Sequence, residues 1–175
     1  MGKNVGEILL LGFLFIIGVG ILSGGRNYKN DQQTNRPSRT QQTCVNIVYY
    51  NPLRGGINCY PPCSTTADGT KIIEKGKLLY AWNPETATAY AACPPEYPFG
   101  TIFVVYFPDG TEGKFTCHDR GSAIKIKNGC AIIDVLHEDG IRGNVKKYNP
   151  PRTKNGHIIG SRNPYPATVY IPYNN

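Results

Sequence analysis

Short apolar, β-branched and aromatic stretches separated by turn residues fill the chain beyond residue 43, and this alternation limits its fold more than any other feature. The stretches read CVNIVYY, KIIEKGKLLYAW, TIFVVYF, GKFTC, AIKIK, AIIDVL and ATVYIPY. Pro108-Asp109-Gly110 and Asn128-Gly129 are hairpin-turn signals. A short helix is expected over Lys75–Ala81, and a long surface excursion over residues 140–166. The pattern predicts an all-β domain over residues 44–175, a small closed barrel.

An apolar run precedes this domain. ILLLGFLFIIGVGIL, residues 8–22, lies within eighteen uncharged residues between Glu7 and Arg26, the short end of what crosses a bilayer as a helix. We therefore predict a membrane anchor over residues 1–25, with membrane contact through residues 8–25. A cleaved signal peptide ending near Ser23 is the alternative. Residues 26–43 contain almost nothing apolar and are predicted to be a disordered tether.

Six cysteines all follow the apolar run: Cys44, Cys59, Cys63, Cys93, Cys117 and Cys130. An even number in a small exported domain predicts up to three disulfides, with fifteen pairings open. The alternative is structural zinc, because Cys59-x-x-x-Cys63 has a ligand spacing, although no second close pair follows. Oxidised cysteines predict a location outside the cytoplasm. The sequence indicates no cofactor and no catalytic metal.

The chain is basic, with 19 Lys and Arg against 12 Asp and Glu. Such a balance suits anionic lipid or an acidic polymer such as bacterial cell wall. Nucleic acid is not an expected partner, because the basic residues are scattered and no zinc-finger spacing or RNP-like aromatic motif occurs.

Four ordered segments lie between Val45 and Leu136: Tyr50-Asn51-Pro52 with Thr66-Ala67-Asp68-Gly69-Thr70, then AACPPEYPFGT, then CHDRGSAIK, and finally AIIDVL. Together they resemble the three-aspartate (3D) domain family, with Pro98, Gly100 and Thr101 of the second segment in register. The Asp-Arg-Gly motif of the third segment is similar to that of rare lipoprotein A. One departure is that Cys93 stands where the family has its first aspartate, so Asp119 and Asp134 are the two retained.

The resemblance implies a six-stranded double-psi β-barrel, shared with membrane-bound lytic transglycosylase A. Proteins of this kind cleave the β-1,4 bond between N-acetylmuramic acid and N-acetylglucosamine in peptidoglycan and leave a 1,6-anhydro end. A single carboxylic acid is enough for this reaction, since the 6-hydroxyl of the sugar attacks the anomeric carbon. Asp134 is the expected acid/base, because its apolar neighbours are expected to raise its pKa. Asp119 is expected to support it, and the two roles are open to exchange.

Further residues of these segments are candidate substrate contacts: Glu96, Tyr97, His118, Arg120 and Ser122. The competing interpretations are an exposed loop glutamate for Glu96, a surface histidine for His118, and a core position for Tyr97, as for Tyr49 and Trp82. For the two aspartates they are a turn-forming residue and an outward strand residue.

Cys93 has two interpretations of its own. If Cys93 and Cys117 face each other, a disulfide would stabilise the domain by about 2–4 kcal/mol and fix the floor of the cleft. A free nucleophilic Cys93 next to His118 is the alternative, although sequence neighbours on a strand point to opposite faces.

The sequence thus predicts a membrane-anchored lytic transglycosylase with the barrel outside the cytoplasm, on a cell envelope or in the membrane of a phage virion. Its expected partners are peptidoglycan glycan strands, with virion or envelope proteins left open. The alternative is a barrel that binds glycan, or serves a structural role, without cutting.

Overall fold

The computed structural model describes residues 39–54, 63–139, 149–160 and 163–172. Nine strands lie in these ranges: β1 (Arg39–Tyr50), β2 (Ile73–Glu74), β3 (Lys77–Leu78), β4 (Thr88–Ala92), β5 (Ile102–Tyr106), β6 (Glu112–Asp119), β7 (Ile126–Lys127), β8 (Cys130–Leu136) and β9 (Tyr165–Ile171). The described residues include no α-helix, only a 3-10 turn at Pro52–Arg54. None of them forms a segment with the length and hydrophobicity of a membrane-spanning helix. The predicted anchor, residues 1–25, lies outside these ranges.

Six of the strands close into a barrel, which confirms the predicted all-β class and closure. Around the barrel the order is β1, β9, β5, β6, β4 and β8, and β8 pairs back with β1. The β1–β8 and β4–β6 pairs are parallel, and the other four are antiparallel. β7 pairs with β8 outside the ring, and β2 with β3 forms a separate hairpin. Closure gives each of the six strands two neighbours, although β1 pairs with β9 through residues 39–45 and with β8 through residues 44–50.

Alternate residues of each barrel strand fill one apolar core. The innermost side chains are Val45, Ile47, Ala89, Ala91, Phe103, Val105, Phe115, Cys117, Ala131, Ile133, Val135, Ala167 and Val169. Small side chains on β4 face the rings of Phe103 and Phe115, so large and small residues complement each other across the narrow interior. A second apolar cluster, Tyr50, Ile72 and Leu136, lies outside the barrel wall beneath the β2–β3 hairpin.

β1 begins at Arg39, inside the segment predicted to be a tether. Residues 39–43 pair with residues 167–171 of β9, and the Gln42 amide donates to the Thr168 hydroxyl (3.0 Å). Main-chain hydrogen bonds to a neighbouring strand need no apolar side chains, which is why composition alone missed this extension. The rest of the predicted tether, residues 26–38, lies outside the described residues.

Local turn chemistry accounts for the hairpins. The Pro108-Asp109-Gly110 turn joins β5 to β6, and Asn128-Gly129 joins β7 to β8 with both φ angles positive (51° and 78°), as the sequence predicts. The predicted helix over Lys75–Ala81 is wrong. Lys75 and Gly76 also have positive φ (50° and 73°) and form the tight turn between β2 and β3, a conformation that no helix contains.

Two disulfides join described cysteines: Cys44–Cys130 links the parallel strands β1 and β8, and Cys93–Cys117 links the end of β4 to β6. The pairing anticipated for Cys93 and Cys117 is thus confirmed. Cys63 is also disulfide-bonded, and Cys59 lies outside the described residues. Oxidised sulfurs cannot ligate zinc as thiolates or act as nucleophiles, so the zinc alternative and the free Cys93 nucleophile are both contradicted.

Residues 149–160 form no strand, as predicted for an excursion, yet part of this segment is packed. Ile159 is buried in the barrel core, and the Trp82 indole donates to the Arg152 carbonyl (2.9 Å). The Thr153 hydroxyl donates to the Asp109 carboxylate in the β5–β6 turn. The Thr111 hydroxyl (2.6 Å) and amide (3.1 Å) donate to the same carboxylate.

Replacing Asp109 with asparagine should lower stability in a pH-dependent way. Burial alone would raise the pKa of Asp109, but hydrogen bonds from Thr111 and Thr153 outweigh it and lower the pKa to about 2. A folded-state pKa below the ordinary value of 3.8 stabilises the fold above about pH 4, and this stabilisation is lost as pH falls towards 2. We expect a loss of about 1 kcal/mol at pH 7, limited by solvent screening.

Urea unfolding of the wild type and Asp109→Asn between pH 2 and pH 7 measures this difference. Glu112→Gln, in the same hairpin, is the matched control and should leave stability unchanged at every pH. A loss in Asp109→Asn that stays constant down to pH 2 would contradict the assigned ionisation.

Candidate active site

A β-bulge at the end of β6 exposes the Asp-Arg-Gly segment. Ala91 of β4 opposes Cys117, but Ala92 opposes Asp119, so His118 is an extra residue in the β6 strand. Cys117 faces the core and His118 faces outward by strand alternation, whereas the bulge turns Asp119 outward as well. Both side chains therefore stand on the outer wall of the barrel, next to the Thr66–Thr70 turn.

Asp134 reaches the same wall from the other side of β4. Ala92 pairs with Asp134 of β8 as well as with Asp119 of β6. Directly opposed residues point to the same face of a sheet, and neighbouring strands lie about 4.8 Å apart, so the two aspartate Cα atoms are about 10 Å apart. The structure thus brings the two predicted catalytic residues to one face, on the strands that flank Ala92.

Tyr50, at the end of β1, interacts with both aspartates. Its buried hydroxyl donates to Asp119 Oδ2 (2.9 Å). Burial raises the pKa of Tyr50 well above its ordinary value, and the charges of Asp119, Asp134 and Asp68 raise it further. Tyr50 therefore remains a protonated donor at any physiological pH.

The Asp119 carboxylate accepts three hydrogen bonds. Besides the Tyr50 hydroxyl, the backbone amides of Ala67 (3.0 Å) and Arg120 (2.8 Å) donate to Oδ1. The bond from Arg120 is the turn-forming contact considered in the sequence, but the bond from Ala67 bridges two distant segments. Three converging donors suit an ionised carboxylate held in one orientation.

His118 forms a pair with Asp68. The distance from His118 Nδ1 to Asp68 Oδ2 is 2.6 Å, and the Thr70 hydroxyl lies 3.3 Å from the same nitrogen. Burial alone would raise the pKa of Asp68, but hydrogen bonds from Thr66, Thr70 and His118 outweigh it and hold the pKa below its ordinary value. The His118 ring stacks on Tyr90, with 3.8 Å between centroids.

Arg120 is engaged with the protein rather than directed outward. Its guanidinium donates to the carbonyls of Tyr97 (2.8 Å), Asp119 (3.1 Å) and Cys93 (3.4 Å). It also lies over the Phe99 ring, 3.9 Å from the centroid. Burial lowers the pKa of Arg120, while the charges of Asp119 and Asp68 oppose that shift. The side chain proposed as a substrate contact thus fixes the loop that follows β4.

The remaining predicted contacts differ in their exposure. Tyr97 is 4 % exposed and packs edge-on against Phe103 in the core, a position from which its ring cannot stack on a sugar. Glu96 and Ser122 are exposed. Trp82 is also buried, at 8 % exposure.

Sequence reasoning missed Tyr50, Asp68 and Tyr90. Tyr50 and Asp68 stand in motif segments that carry the family resemblance, so their positions were marked but no role was assigned. Tyr90 lies in the short strand β4, where no sequence motif indicates a functional residue. Asp68 does not align with any of the family's three aspartates, so the resemblance assigns it no role.

A cavity of about 440 Å³ lies towards the opposite end of the barrel, away from Asp119 and Asp134. Its lining includes Trp82, Glu85, Glu112, Lys114 and Lys154, so acidic and basic side chains are balanced there. No group of three or more potential metal ligands occurs within the described ranges.

Comparison with family models, curated proteins and solved structures found no match for this chain.

Proposed function

We propose that this protein is a lytic transglycosylase that acts on peptidoglycan, built on a double-psi β-barrel. Support for the fold comes from the closed ring of six strands, in which two parallel pairs interrupt an antiparallel arrangement. The observation that carries the activity is the placement of Asp119 and Asp134 on the two strands flanking Ala92, with Asp119 held by the Tyr50 hydroxyl.

The chemistry needs one carboxylic acid and one fixed negative charge. Asp134, protonated when substrate arrives, donates to the oxygen that leaves with N-acetylglucosamine as its bond to the muramyl anomeric carbon breaks. The 6-hydroxyl then attacks this carbon, and the Asp134 carboxylate takes up the hydroxyl proton. Asp119, held by three donors, stabilises the positive charge that develops on the sugar. No water is consumed, and Asp134 ends in its starting protonation state.

The location belongs to the same proposal. The apolar run at residues 8–22 suits an anchor, and the disulfides suit an oxidising compartment. We place the barrel outside the cytoplasm, in a cell envelope or a phage virion membrane, where peptidoglycan glycan strands are within reach.

Product analysis tests the activity. The purified full chain is incubated with peptidoglycan sacculi, and the soluble fragments are analysed by mass spectrometry. We expect muropeptides with 1,6-anhydro ends, which are one water lighter than hydrolysis products. Fragments with ordinary reducing ends would overturn the transglycosylase in favour of a hydrolase.

Cys93 favours a second candidate function. At the position where the resemblance places the family's first aspartate, this chain has a buried disulfide sulfur, so one carboxylate of the family pattern is missing. A barrel of this kind that binds glycan without cutting it would co-sediment with sacculi and release no soluble fragments.

A further inference from the structure

Three aromatic rings form a continuous stack on the outer wall of the barrel. The Tyr80 and Tyr90 centroids are 4.2 Å apart with an interplanar angle of 14°, and those of Tyr90 and His118 are 3.8 Å apart at 26°. The rings come from the loop after β3, from β4 and from the β6 bulge. The stack thus starts beside Asp119 and leads away from it.

The inner end of the stack is rigid. Asp68 holds His118 Nδ1 at 2.6 Å, and the Asp68 amide donates to the His118 carbonyl (3.2 Å). The other Asp68 oxygen accepts from the Thr66 hydroxyl (2.6 Å) and the Thr70 amide (3.0 Å). No described residue donates to or accepts from Nε2 of His118, so this nitrogen can exchange a hydrogen bond with a ligand.

The outer end of the stack combines exposure with backbone strain. Tyr80 is 51 % exposed, the highest value among the large hydrophobic side chains of the described residues. Its φ angle is 58°, a region that bulky residues rarely adopt and that costs about 1–3 kcal/mol. The Tyr80 carbonyl accepts from the Tyr90 amide (2.9 Å), which holds this conformation. An exposed ring held in a strained conformation is typical of a ligand-binding surface.

We propose that Tyr80 is a sugar-stacking platform, with the stack running from Tyr80 through Tyr90 to His118 as a glycan-binding subsite. The C–H face of one N-acetylhexosamine ring packs on the open face of Tyr80, and a hydroxyl or acetamido group of another sugar in the same chain hydrogen-bonds His118 Nε2. This inference rests on the proposed function for the identity of the ligand. It adds that the glycan chain extends from the catalytic aspartates along the stack towards Tyr80.

Binding of the β-1,4-linked tetramer of N-acetylglucosamine tests the subsite. Calorimetric titrations use the full chain carrying Asp134→Asn, which prevents turnover. Adding Tyr80→Gly should weaken binding about 5- to 30-fold, whereas Tyr80→Phe should stay within about twofold. Glycine accepts a φ of 58° without strain, so this substitution should leave the backbone conformation at residue 80 in place.

Tyr170→Ala is the matched control. Tyr170 is an exposed tyrosine (38 %) on β9, away from the stack, and its removal should leave the affinity unchanged. Equal affinity of the Tyr80→Gly variant and its parent would overturn the subsite, as would equal losses in the Tyr80→Gly and Tyr170→Ala variants.

The binding and product assays distinguish an error in the subsite from an error in the proposed activity. If the wild type releases 1,6-anhydro products but Tyr80→Gly does not affect tetramer binding, only the subsite is wrong. If tetramer binding depends on Tyr80 but no anhydro products form, the subsite stands and the activity is wrong. Absence of tetramer binding by the Asp134→Asn parent would overturn the subsite irrespective of the product assay.

Discussion

Asp134→Asn should lower the rate of release of 1,6-anhydro ends by about 10²- to 10⁴-fold, the usual contribution of a general acid. Asparagine has nearly the same shape as aspartate, but it has no proton to give to the leaving oxygen. The backbone of β8 pairs with β1 and β4 whatever this side chain is, so we expect the variant to fold. Rates are measured by mass spectrometry of soluble muropeptides over time.

Asp119→Asn separates charge from position. The asparagine carbonyl can still accept from the Ala67 and Arg120 amides that now bond Asp119 Oδ1, so the loop should stay in place while the negative charge and the bond from the Tyr50 hydroxyl to Oδ2 are lost. We expect a rate loss of about 10²- to 10³-fold if this charge stabilises the transition state.

Glu85→Gln is the control for both variants, because Glu85 is an exposed carboxylate that lines the cavity distant from the site. It should keep the wild-type rate. Full activity in Asp134→Asn together with complete loss in Asp119→Asn would exchange the two roles, which the Asp-Arg-Gly resemblance to rare lipoprotein A allows. Full activity in both would remove the aspartates from the mechanism.

The barrel was predictable because its signals are local. Turn residues such as Pro108 and Asn128 mark hairpins by their own conformational preferences, and residues 102–106 are a short β-branched and aromatic run bounded by turn signals. The extension of β1 to Arg39 was not predictable, since pairing with β9 depends on a segment more than a hundred residues away. The helix expected over Lys75–Ala81 fails because a tight turn at Gly76 overrides helical propensity.

The site was predictable only in part. The Asp-Arg-Gly motif indicates Asp119 and the closing strand indicates Asp134. No local sequence feature indicates that both aspartates flank Ala92. Tyr50 enters the site because a parallel pairing carries the end of β1 beside β8. Asp68 enters because His118 faces outward beside it, and the bulge that also turns Asp119 outward has no sequence signature of its own.

Removing the Cys93–Cys117 disulfide by replacing both residues with alanine should destabilise the barrel by about 3–4 kcal/mol. The cross-link closes a loop with a sequence separation of 24, for which the chain-entropy relation gives about 3.5 kcal/mol. Both cysteines are fully buried, so the variant also loses packing around the sulfurs. Denaturant unfolding under non-reducing conditions measures the difference.

The Cys44→Ala/Cys130→Ala variant provides the comparison. Its loop has a sequence separation of 86, and the same relation gives about 4.6 kcal/mol, so this variant should be the less stable of the two if loop entropy dominates. At a temperature where both variants remain folded, the variant without Cys93–Cys117 should nevertheless be the less active of the two. Only Cys93–Cys117 ties β4 to β6 next to Asp119, where the Cys93 amide donates to the Asp119 carbonyl (3.1 Å). Equal activities in the two variants would mean that the buried cross-link stabilises the barrel without positioning Asp119.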